Sequence, residues 1–343
     1  MGGMAKFGND LYTGARSFNF VGNRRIWYII AAVMILISII GPAIRGGFVF
    51  GIEFRGGSEF QVSEIANLDE DPIQNQNVAT ETVESVVPDA SPRVTTVGDN
   101  GIRVQTEQLT QKESTELAGA LAETFDVPAT QVTSSFIGPS WGADITQSAI
   151  RALVVFIILA GIVMALYFRT WKMSVAAIVS LLHDIIITAG VYGILGFEIT
   201  PSAVIGFLTI LGYSLYDTVV VFDKIRENTA EDGDNSSRTF GESVNLAVNQ
   251  TLVRSINTGV VAALPVGAIL FIGAVVLGAG TLRDIALSLF IGILVGTYST
   301  IFIAAPLYAQ LRENEPDILK RTKRLMIARG EASQKVSVTE PTV

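Results

Sequence analysis

The sequence predicts a membrane α-helical bundle of six transmembrane helices that carries one extracytoplasmic α+β domain. Three observations lead there. Six apolar runs punctuate the chain, each near the roughly 20 residues that cross a bilayer. Of 343 residues 49% are hydrophobic and only 16% charged, where a soluble domain carries about 25% charged residues. The polar stretch between the first and second runs, about the size of one domain, alternates and turns like a mixed α+β unit.

Residues 1–25 are polar and basic and predict a cytoplasmic N-terminal segment with no cleaved signal. Residues 26–44 form the first span, with Trp27 and Tyr28 as interfacial anchors. Residues 45–148 hold the folded domain. Alternation predicts strands over 59–65, 93–97, 102–106 and 131–137, and helical spacing covers 75–87 and 110–125. Asp99-Asn100-Gly101 reads as a hairpin turn. Thr110 with Glu113 reads as a capping box. The order β-α-β-β-α-β is that of a ferredoxin-like domain. The remaining spans fall at 150–168, 175–195, 199–222, 253–277 and 285–308 within a bundle over 149–310. The polar loop 223–252 has amphipathic helical spacing from 240 onward, and 311–343 reads as a charged cytoplasmic tail, partly disordered.

Charge sets the orientation. Residues 45–148 carry 16 acidic against 5 basic residues. The N-terminal segment, the 169–174 loop, the 223–252 loop with Arg254, and the tail hold 4, 2, 4 and 7 basic residues. The positive-inside rule then places both termini in the cytoplasm and the domain outside. There is no Cys and one His, which excludes disulfides, thiolate metal sites and a multi-His metal site.

Polar groups within the spans point to chemistry, because a carboxylate in hydrocarbon costs roughly 2.5–3.5 kcal/mol on insertion scales. Asp217 lies in Gly212-Tyr213-Ser214-Leu215-Tyr216-Asp217-Thr218-Val219-Val220-Val221-Phe222, about two turns inside its apolar helix end. Gly206, Ile210, Tyr213, Asp217 and Val220 share a face. Gly206 and Gly212 would admit a neighbouring helix, and Tyr213 and Ser214 are in place to hydrogen-bond Asp217. Arg254 enters the fifth span from the same side, within reach of Asp217. The alternative for Arg254 is snorkelling to lipid headgroups. His183-Asp184 sits near the middle of the third span, where imidazole suits a proton relay and a satisfied core pair is the alternative. Together these groups suggest an ion or proton pathway. Asp217 paired with Arg254 would be charged, and protonation would free the helices to shift.

These residues resemble the SecF family. Gly51-Ile52-Glu53-Phe54-Arg55-Gly56-Gly57 is similar to its exported-side motif, carrying Gly51, Glu53, Arg55, Gly56 and Gly57. Leu182-His183-Asp184, the stretch 212–228, and 249–258 with Thr251, Arg254, Ser255 and Thr258 resemble three further family motifs, in order. The resemblance covers about 26–310. It implies a SecD partner within the resistance-nodulation-division (RND) superfamily. It also implies contact with the SecYEG translocon, translocating preproteins and membrane lipid, but not nucleic acid. The function it implies is translocation and release driven by the proton motive force, without enzymatic turnover. The proton is the coupling ion, sodium is left open, and no other cofactor is implied. Residues matching Asp217 and Arg254 belong to that family's proton pathway, and a further essential Asp comes from SecD. Three other readings stand beside it, one of them a purely structural scaffold. Half of an RND small-molecule exporter would need larger outer domains and a second set of spans. An intramembrane aspartyl protease would need a Gly-x-Gly-Asp signature, which is missing around Asp184.

Overall fold

The computed structural model describes residues 3–66, 68, 71–98, 100–231, 237–272 and 280–338. Among these, six helices are long and apolar enough to cross a membrane: Arg24–Ile44, Ser140–Phe168, Trp171–Leu195, Pro201–Ala230, Phe240–Phe271 and Leu282–Glu313. A short helix α1 (Gly3–Tyr12), not anticipated in the basic N-terminus, precedes α2 (Arg24–Ile44). It lies against the fifth long helix with Leu11 buried.

After α2 come β1 (Val49–Phe50), α3 (Ile52–Arg55), β2 (Gly57–Val62), α4 (Pro72–Val86), β3 (Arg93–Val97), β4 (Gly101–Thr106), α5 (Gln111–Thr124) and β5 (Val132–Ile137). Strands β2 to β5 form one antiparallel sheet in the order β3-β4-β2-β5. Phe60, Val62, Ile102 and Val104 alternate inward from it and meet Leu117 and Leu121 of α5. Thr110 caps α5 as expected: its backbone N–H donates to Glu113 Oε2 at 2.8 Å, and its hydroxyl accepts from the Glu113 N–H at 3.3 Å. Asp99 of the expected hairpin turn lies outside the described residues.

The bundle continues with α6 (Pro139–Phe168), α7 (Trp171–Leu195), β6 (Glu198–Ile199), α8 (Pro201–Glu231), α9 (Phe240–Phe271), α10 (Gly280–Ser299), α11 (Ala305–Glu313) and α12 (Pro316–Val338). A π-helical turn, Thr300–Ala304, joins α10 to α11. α10 packs on α7, α8 and α9, and α2 packs on α7. Three expectations are corrected. The helix of the fourth span runs past 222 to Glu231, because its polar end is held: Asn228 Nδ2 donates to Gln250 Oε1 at 2.9 Å. The amphipathic segment from Phe240 and the fifth span form one helix, opened by a second capping box, Thr239 with Glu242. The tail, read as charged and partly disordered, is helical from Pro316 to Val338, with 339–343 outside the described residues.

Candidate functional site

Asp217 is carried on α8 toward the interior and is 4% exposed. Its Oδ1 accepts a hydrogen bond from Ser255 Oγ at 2.9 Å. Its Oδ2 is buried with no hydrogen-bond partner among the described residues. The expected ion pair with Arg254 is not formed: Arg254 is exposed, and no salt bridge links it to Asp217 among the described residues. Helical geometry explains this. Consecutive side chains on an α-helix are about 100° apart, so with Ser255 on Asp217 the Arg254 guanidinium stands to one side, near enough to act on Asp217 through its charge but not in a salt bridge. Ser255 takes the inward place, following Thr251 one turn before it, and both are buried. Sequence reading quoted Ser255 but gave it no role; the inward Thr251–Ser255 spacing was the available signal.

Ser214 is likewise reassigned. Its hydroxyl donates to Asp184 Oδ2 at 2.6 Å rather than to Asp217. Asp184 and His183 are 0% and 3% exposed, and His183 Nδ1 lies 3.3 Å from Asp184 Oδ1. Thr218 and Thr300 place their hydroxyls 3.0 Å apart, the latter at the start of the π-turn. Close packing permits these contacts. A Cβ at Gly206 would overlap the Ser288 hydroxyl on α10, the small-residue approach expected for a membrane interface. Gly212 instead faces open space on the exposed side of α8.

At the sheet end of the bundle, the stretch from Gly51 to Gly57 forms a junction. β1 pairs in parallel with β6, and the Gly51 N–H donates to Ile199 O at 3.0 Å. Gly51 caps α3, and Gly56 follows it at φ 77°. Gly57, at φ 145°, lets the Thr106 carbonyl approach where a Cβ would clash. Gln105 Nε2 donates to Glu59 Oε2 and to Glu198 Oε1, both at 2.9 Å, so one side chain ties the sheet to the α7–α8 connection. Arg103 flanks the same two acids at 3.8 and 3.9 Å. Glu53 is half-buried beside them. Its carboxyl is held above the usual range mainly by burial, with Glu198 and Glu59 adding to the effect. Arg55 is exposed. Among the described residues no cluster of His, Asp or Glu has metal-binding geometry.

Comparison with known families decides the identity of this architecture. Residues 117–314 match the family model described as protein export membrane protein SecD/SecF, C-terminal. The chain belongs to the SecF family of protein translocase subunits. It is 42% identical over 338 residues to the protein translocase subunit SecF of Streptomyces coelicolor, covering 98% of this chain and 87% of that one. It is 38% identical to the SecF of Mycobacterium tuberculosis, covering 96% and 75%. Among solved structures it resembles SecDF, a translocon-associated membrane protein from Thermus thermophilus, with a TM-score of 0.71 and 29% identity over 87% of this chain. It spans only 39% of that SecDF chain. Six apolar helices and these relatives make this SecF-family chain a multi-pass membrane protein in protein transport, and its relatives are named as translocase subunits.

Proposed function

We propose that this chain is the SecF half of a SecD–SecF complex that uses the proton motive force to promote translocation and release of preproteins at the SecYEG translocon. The observation that carries the reading is Asp217. It is an acid buried among transmembrane helices, held through one oxygen by Ser255 and unpartnered at the other, and such groups mark ion and proton pathways. A proton on Asp217 changes the charge at the α8–α9 contact, and a membrane voltage supplies about 2.3 kcal/mol per charge per 100 mV to bias a two-state rearrangement.

Several features support a partner. Arg254 stands exposed on α9, and Ile205, Thr209, Gly212 and Tyr216 line the exposed face of α8. An exposed arginine within a membrane-spanning helix calls for cover by protein or headgroups, and a second six-helix unit would supply it. SecDF relatives, such as that of Thermus thermophilus, which is 32% identical, contain this unit within one longer chain. In our reading SecD covers that face and brings its own acid toward Arg254. Both termini lie in the cytoplasm, in keeping with their basic residues. The outer domain is ferredoxin-like, supported by its β-α-β-β-α-β order and the sheet order β3-β4-β2-β5. The proton is the coupling ion.

The test is reconstitution with SecD and the translocon in vesicles. Asp217→Asn should abolish proton-dependent export while co-purification with SecD stays intact. Undiminished proton-driven export by that variant would reject the proposal.

A further inference from the structure

Asp184 is a second fully buried acid, midway along α7, that the role of Asp217 leaves unexplained. Its two oxygens meet only Ser214 Oγ at 2.6 Å and His183 Nδ1 at 3.3 Å, with no lysine or arginine in salt-bridge range among the described residues. Ser214 precedes Asp217 by three residues on α8. The two therefore share a face, with Asp217 roughly 4.5 Å farther from the sheet end at ~1.5 Å per residue. The contact between α7 and α8 thus lies between Asp217 and the outer domain.

Toward that domain the polar line continues. Thr188 and Tyr192 follow Asp184 at helical spacing on α7, both buried, with the Thr188 hydroxyl donating to the Asp184 backbone carbonyl at 2.7 Å. The Tyr192 hydroxyl donates to the Asp284 carbonyl at 3.1 Å, and Thr200 Oγ1 donates to Asp284 Oδ2 at 2.8 Å. Beside Asp184, His183 Nε2 and Ser180 Oγ are buried with no partner among the described residues. A packing face between apolar helices needs none of these groups, and an unmatched buried polar atom is costly. Their alignment points to transfer rather than to packing. The titratable group in contact with Asp184 is His183 on its own helix; Tyr213 and Asp217 flank its partner Ser214 along α8, and Tyr298 on α10 has its ring centroid 6.0 Å from that of His183. Helices α2 and α6 bring no titratable group within hydrogen-bond distance of Asp184 among the described residues.

We propose that Asp184 is a second proton-carrying residue, set in series with Asp217 on the side of the outer domain and linked to it through the Ser214 hydroxyl. This rests on the reading of Asp217 given above. In the transfer step the Ser214 hydroxyl, which donates to Asp184 Oδ2 in the structure, turns toward Asp217 one helical turn along α8; its oxygen then takes the proton of Asp184 as its own O–H bond breaks toward Asp217. One O–H bond forms as another breaks, and no electron changes hands.

The test is infrared difference spectroscopy on acidification, with the full chain co-purified with SecD in lipid nanodiscs. The wild type should show carboxyl C=O bands that appear as protons are taken up. Asp184→Asn should remove one band and Asp217→Asn a different one. Ser214→Ala should shift the Asp184 band to higher frequency by removing its hydrogen bond. An assembled Asp184→Asn complex that keeps every wild-type band would overturn the proposal. Should that variant fail to assemble, Ser214→Ala decides, and an unshifted spectrum overturns it. Loss of a band in Asp184→Asn but of none in Asp217→Asn would instead sink the role of Asp217 and leave proton uptake at Asp184 standing.

Discussion

The Ser255 hydroxyl on Asp217 is the contact on which the site turns. Ser255→Ala removes the one donor, among the described residues, to a buried carboxyl group, a change of about 1 kcal/mol in stability by the usual worth of such a bond. Proton flux in the SecD complex should fall while the complex still assembles; flux at the wild-type rate would argue that the contact only packs. Arg254 behaves differently because it forms no salt bridge among the described residues and reaches Asp217 only through its charge. Arg254→Met should leave the melting temperature of the isolated chain nearly unchanged, within about 0.5 kcal/mol as for exposed substitutions, yet stop flux in the assembled complex. A large loss of stability in the isolated chain would show that the guanidinium is buried there after all. Both acids were legible in the sequence because a charge inside an apolar run is conspicuous. Their partners were not. Which of Arg254 and Ser255 faces inward depends on the rotation of α9 about its axis, and single-residue rotation is not encoded in hydropathy.

Elements transmit what the residues do. α8 and α10 approach closely at Gly206, where a side chain would overlap Ser288. Gly206→Val should cost about 1–3 kcal/mol, as overpacking generally does, read as a lowered Tm in detergent. An unchanged Tm would mean that the two helices are loosely apposed. At the sheet end, the pairing of β1 with β6 and the Gln105 bridge escaped sequence reading, since two-residue strands leave no periodicity to detect. The sheet itself was readable, because Phe60 and Val62 of β2 alternate with half-buried Glu59 and Gln61, and Ile102 and Val104 of β4 flank half-buried Arg103. Glu53 gives this junction a pH dependence. Its folded-state carboxyl titrates above the ordinary value, so it adds no penalty below that value and an increasing one as pH climbs through the raised one. Glu53→Gln should therefore narrow the difference in Tm between mildly acidic and neutral pH, with the gain at neutral pH. A variant with the wild-type pH profile would remove Glu53 from the account.

Across the whole molecule the two ends respond to acid with opposite signs. At the end bearing the termini, Lys172 at the start of α7 meets Glu315 between α11 and α12 at 2.9 Å, and Arg312 joins the same carboxylate. The hydrogen bonds from Arg312 hold Glu315 below the usual carboxylate range, with Lys172 adding to them. That contribution is complete above the ordinary carboxylate value and fades as pH falls through the depressed one. Hydrogen exchange should accordingly quicken around α11 and α12 on acidification and slow around β1, α3 and β6; a uniform response would contradict this division. The six spans were the most legible feature, each a sustained apolar run. The continuity of α9 and the helical tail were not, because polar residues there satisfy themselves locally through Thr239, Glu242 and Arg329, whose guanidinium lies 2.8 Å from Glu242. The proposed proton pathway rests first on one buried carboxyl group between α8 and α9. Its most direct test is proton flux into vesicles holding the chain with SecD under an imposed gradient and voltage. Wild type should conduct and Asp217→Asn should not, with equal amounts of complex in the membrane; equal flux from both would contradict a proton pathway through Asp217.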